Sequence, residues 1–132
     1  MKRLLRFDFG GPYDGMEVRA ETLFGQIARE KRIQIDAEDD VELARRAGAI
    51  GEWHAELAEI FERAEELISQ EDGHPFERVM AHSAAVFHKG QAHAQLRLGQ
   101  QHMARAERHR KEGIRHALAD PFARVHAAGR GR

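Results

Sequence analysis

The sequence predicts a mainly α protein: an N-terminal β-hairpin, a short helix, and a long antiparallel helical hairpin that becomes a bundle on oligomerisation. Three observations carry this. Residues 74–119 hold one proline, Pro75, at their very start, and so can run as one long helix. Residues 37–70 place Val41, Ala44, Ile50, Trp53, Leu57, Ile60, Phe61, Ala64, Leu67 and Ile68 at three- and four-residue steps, the helical period. Between the two patterns, Glu71-Asp72-Gly73-His74-Pro75 supplies a glycine to end one helix and a proline for the first turn of the next.

Taken in order, Leu5, Phe7 and Phe9 alternate with Arg6 and Asp8, a strand period. The run Gly10-Gly11-Pro12-Tyr13-Asp14-Gly15 is dense in turn formers, and Met16-Glu17-Val18-Arg19 alternates again, which predicts a hairpin. Gly10 and Gly15 have the glycine spacing of a phosphate-binding loop. Met16 and Glu17, however, stand where lysine and Ser/Thr would have to be. A short helix is expected over Ala20–Lys31, with Leu23, Phe24 and Ile27 on one face, and Arg32–Ile35 is expected as a third short strand.

Asp36 is the expected N-cap of the next helix, with Asp39 in its first turn, where negative charge meets the helix dipole. Gly48 and Gly51 are its weak points. The long helix then carries Phe76, Val79, Met80, Val86, Phe87, Leu96, Leu98 and Met103 among many small residues, with Gly90, Gly99 and Gly113 as places where it could break. Asp120-Pro121 should stop it. The division is residues 1–35 for the β-hairpin and short helix, 36–121 for the helical hairpin, and 122–132 for a basic flexible tail, all within one domain.

Composition removes several function classes. There is no cysteine, which excludes disulfides, thiolate metal sites and a cysteine nucleophile. The only serines are Ser69 and Ser83, and Ser83 adjoins His82, a spacing at which helical side chains do not face each other. Charges interrupt Met1–Asp8 too often for a signal peptide, and no apolar run reaches the length of a membrane span, so a cytoplasmic protein without membrane contact is expected. Net charge is −1, but residues 36–77 carry fourteen acids against three bases, while residues 97–132 carry nine Arg or Lys against three acids.

Length suggests a partner. A helix of 46 residues would span about 69 Å, while a domain of this size has a radius of gyration near 14 Å. The apolar positions also spread wider than one seam requires. The first expectation is therefore a non-catalytic structural or accessory subunit. It would act by helix-mediated self-association or by assembly with a larger protein, through Trp53, Leu57, Phe61, Phe76, Met80, Phe87, Leu96 and Met103.

A second reading is a metal-binding helical bundle holding iron or zinc. Folding the helices back at residues 72–74 pairs positions whose numbers sum to about 147, which sets Glu66 near His82, Glu59 near His88 and His54 near His93. His54, Glu59, His88 and His93 are the candidate ligands, since imidazole and carboxylate suit these metals. A di-metal carboxylate bundle needs Glu-x-x-His on a helix, and no histidine here meets that requirement. His102, His109 and His116 repeat every seven residues; in an interface, their protonation near pH 6 would make assembly pH-sensitive. The third reading is nucleic-acid binding through Arg105, Arg108, Arg110, Lys111 and Arg115, although no DNA- or RNA-binding motif accompanies them.

Overall fold

A computed structural model describes residues 12–71 and 74–119 of the chain. They form three helices: α1 (Pro12–Arg32), α2 (Asp40–Ser69) and α3 (Pro75–Ala119). No described residue is in a strand.

The expected β-hairpin is therefore corrected. Met16–Arg19, its second strand, lies inside α1, and Ile33–Ile35, the third, is a non-helical connector. Four alternating residues cannot separate a strand period from a helical one. The longer repeat decides. Met16, Ala20, Leu23 and Ile27 fall at steps of four, three and four, and Ala20, Leu23 and Ile27 are buried on that face, with Met16 packed beside them. Pro12 opens the helix, where its missing N–H costs nothing. Leu5, Phe7 and Phe9, the first strand, and the tail at 122–132 lie outside the described residues.

Neither long helix breaks at a glycine: α2 is continuous through Gly48 and Gly51, and α3 through Gly90, Gly99 and Gly113. The N-cap of α2 moves three residues from the expected Asp36 to Asp39, whose Oδ1 accepts from the Glu42 N–H at 3.2 Å. Asp36 instead accepts from the Glu38 N–H at 3.0 Å, closing a turn ahead of the helix.

Ion pairs fix the chain directions. Arg19 grips Glu56 through two bonds of 2.8 and 2.7 Å, and Arg45 reaches Glu30 at 2.9 Å, so rising numbers in α1 meet falling numbers in α2. His82 meets Glu65 and His102 meets Asp40, each at 3.1 Å, so α3 is also antiparallel to α2. Helix α2 is thus the shared partner of α1 and α3. Its Ile50, Leu57, Phe61, Ala64 and Ile68 form the centre of the core.

The two sides of the α2–α3 seam differ in kind. Helix α3 buries Ala81, Ala85, His88, Ala92 and Gly99 and none of its large apolar residues. Small residues let the backbones close in: a Cβ on Gly99 would sit 3.4 Å from the Ala44 carbonyl oxygen, and one on Gly51 would sit 3.3 Å from Leu96 Cγ. Bulk comes from α2, and the bulk of α3 is left outside.

Candidate functional site

Three features stand out. The first is a buried histidine pair. His54 on α2 and His88 on α3 are 5% and 4% exposed, and their Nδ1 atoms are 2.9 Å apart. A nitrogen-to-nitrogen bond needs opposite tautomers, one ring giving its Nδ1–H and the other accepting. The His54 Nε2 is buried without a partner. The arrangement that leaves no buried donor unpaired has His54 Nδ1–H donating to His88 Nδ1, with the bare His54 Nε2 as a lone pair. Rings enclose His88: Phe61 stacks on it at 5.6 Å, and Phe24 and Phe87 meet it edge-on at 5.3 and 5.1 Å. Burial, and then the neighbouring His54, push the His88 pKa down to about 4; burial, and then the charge of Lys31, lower His54. Near neutral pH the pair is two uncharged imidazoles in an apolar setting.

The second feature is a carboxylate clamp. Asp40, in the first turn of α2, is 4% exposed. It accepts from His102 at 3.1 Å and meets Arg105 at 3.4 Å and His109 Nδ1 at 3.9 Å. The clamp joins the start of α2 to the middle of α3. Beyond it α3 continues to Ala119 past the end of α2. The seven-residue histidine repeat marks part of this cluster in sequence; Asp40 itself carries no signal there beyond membership of an acidic cap.

The third feature is the outer face of α3. Phe76 is 65% exposed and Phe87 58%, with Val79, Met80, Val86, Leu96, Leu98 and Met103 also exposed. Five of the eight expected interface residues (Phe76, Met80, Phe87, Leu96 and Met103) are thus on the surface of the single chain. Leu57 and Phe61 are buried in its own core, and Trp53 packs against that core.

The four expected metal ligands separate into two places. His54 and His88 meet, whereas Glu59 and His93 line a surface groove of about 270 Å³ with Glu62 and Lys89. Lys89 pairs with Glu62 at 3.0 Å. Among the described residues, no group of three or more His, Asp or Glu side chains is placed to hold a metal ion. Of the expected layers, His82 meets Glu65 rather than Glu66, and His88 meets His54 rather than Glu59. A constant sum of residue numbers gives the level along a helix pair; it does not say which residue of that turn faces inward.

The basic patch is partly neutralised. Arg105 is held by Asp40, and Arg110 by Glu107 at 2.6 Å. Arg108, Lys111 and Arg115 are exposed. Neither serine is set up as a nucleophile: Ser69 Oγ donates to the Glu65 carbonyl at 2.7 Å, and Ser83 is exposed. Among the described residues no helix is long and apolar enough to cross a membrane. Comparisons with family models, with curated proteins and with solved structures give no match to this chain.

Proposed function

We propose that this protein is a non-catalytic structural or accessory subunit that assembles through the outer face of α3. One observation carries the reading: the only residues α3 buries fully are small ones and His88, and every large apolar residue on it keeps 40% or more of its surface exposed. Exposed apolar residues scattered singly need no explanation, but a row of them along one helix marks an interaction surface. The histidine pair and the Asp40 clamp then serve to hold α3 rigidly against α2, so that the face is presented as one straight element.

The test is native mass spectrometry of the protein purified from its own host, with metal analysis of the same sample, for the wild type and for Phe87→Asp. The expected result is a stoichiometric assembly, with itself or with a larger chain, that Phe87→Asp disrupts. A bare monomer in both samples overturns the reading. An assembly that survives Phe87→Asp and carries a stoichiometric metal lost with His88→Ala would replace it with the metal-binding one.

A further inference from the structure

We propose that the α3 face running through Phe76, Met80, Phe87, Ala94 and Leu98 is covered by α3 of a second copy of this chain. The two helices run antiparallel, with a two-fold axis between Phe87 and Gly90. This rests on the assembly reading above and names the occupant.

The spacing is that of a helix–helix seam. Residues 76, 80, 83, 87, 90, 94 and 98 step by three and four along α3, and all seven are exposed. They form a stripe separate from the one that faces α2, which runs through Ala81, Ala85, His88, Ala92 and Gly99. Small residues are interspersed along the stripe: Ser83 lies between Met80 and Phe87, and Gly90 and Ala94 lie between Phe87 and Leu98. Gly90 is destabilising in mid-helix, and nothing lies within 4 Å of where its Cβ would be, so the packing of the single chain gives no reason for it. Antiparallel pairing about the proposed axis sets Phe87 against Gly90 of the second copy and Ser83 against Ala94, bulk against a gap and small against small.

The topology favours that direction. Helices α1 and α3 are each antiparallel to α2, so they run the same way, yet no Cα of α1 comes within 8 Å of a Cα of α3 among the described residues. Three helices of an up-and-down bundle are present and the corner beside both α1 and α3 is open. The stripe lies on that side, because Phe87 and α1's Phe24 both contact the His88 ring. A helix completing the corner must run opposite to α1 and α3, as an antiparallel α3 does.

Charge selects the same occupant. In this register residues 105–115 of one copy lie past the Pro75 start of the other copy's α3, at the end opposite to that copy's own basic segment. A parallel pair would place the basic segment of one copy against that of the other.

The chain has no cysteine, so single cysteines report the geometry directly. Under mild oxidation Gly90→Cys should give a covalent dimer. Ser83→Cys and Ala94→Cys should each fail alone, their copies being offset by eleven residues or about 16 Å along the axis, and should cross-link when mixed. Light scattering should give twice 15.0 kDa for the wild type, and the single-chain mass with unchanged helical circular dichroism for Phe87→Asp. Ser83→Cys and Ala94→Cys each cross-linking with itself would show a parallel pair and overturn the proposal. So would a wild-type monomer at high concentration. If that monomer holds a different chain in its host and Phe87→Asp releases it, only the second-copy inference fails; if Phe87→Asp releases nothing, the assembly reading falls as well.

Discussion

The Nδ1 atoms of His54 and His88 stand 2.9 Å apart between α2 and α3, and this bond exists only while at least one ring is uncharged. Burial holds the His88 pKa near 4 against an ordinary 6.5, and lowers that of His54 too. As pH falls, the unfolded chain takes up protons first. The contribution to stability is therefore complete above the unfolded value, erodes as pH falls from there toward the folded value, and is gone below it. For His88 alone, the part lost between pH 7 and pH 5 is about 2 kcal/mol. Urea unfolding at the two pH values should show the wild type losing about that much more than His54→Leu/His88→Leu. Equal losses would mean that the pair does not control the acid limb.

The same pair should be strongly non-additive. Replacing one ring strands the other as a buried polar group, which costs about 1–3 kcal/mol beyond the lost packing. Replacing both by apolar groups of similar size removes that penalty. His54→Leu and His88→Leu are each expected to destabilise, and the double variant to be no worse than the milder single one. A double-mutant cycle at neutral pH measures the coupling; simple additivity would show that the two rings do not depend on each other.

The histidine pair also shows where sequence reasoning reached its limit. The hairpin of α2 and α3 was legible because a helical period runs through residues 37–70 and no proline interrupts residues 76–119. The exposed row on α3 was legible as a surplus of apolar positions. The level at which His82 meets the Glu65–Glu66 turn was legible from a fold-back near residue 73. Which residue of each turn points inward was not, because that depends on the rotation of α3 about its axis, set by Ala81, Ala85 and Ala92 fitting against α2. Four alternating residues at Met16–Arg19 misled for a related reason: too short a window leaves the period undetermined. Asp40 was invisible because its importance arises from His102, sixty-two residues away.

Asp40 yields the third prediction. Its carboxylate is buried and accepts from His102 at 3.1 Å, with Arg105 3.4 Å away. Asp40→Ala leaves His102 and Arg105 without that partner and removes the tie between the start of α2 and α3. A loss of about 1–3 kcal/mol is expected. Hydrogen exchange should speed up most around residues 40–47 and 99–109. A uniform increase along α2 and α3, or no change in stability, would show that the clamp is dispensable.

Two glycines one helical turn apart on α2 give the sharpest comparison. Nothing lies within 4 Å of a Cβ added at Gly48, so Gly48→Ala should gain the ordinary helix-propensity difference, about 1 kcal/mol. The same propensity gain is available at Gly51. There, however, the new methyl would meet Gln95 Cβ and Leu96 Cγ at 3.3 Å and the Ala92 carbonyl oxygen at 3.4 Å. Leu96 is a surface side chain and can turn aside, whereas the Ala92 carbonyl belongs to the α3 backbone and cannot move without it. Gly51→Ala should therefore fall short of Gly48→Ala by about 1 kcal/mol or more, within the range for overpacking. Thermal unfolding of the two variants side by side measures this with the propensity term cancelled. Equal gains would mean that α2 and α3 are not held as close at Gly51 as their small residues allow, and that the α3 outer face is not fixed by this seam.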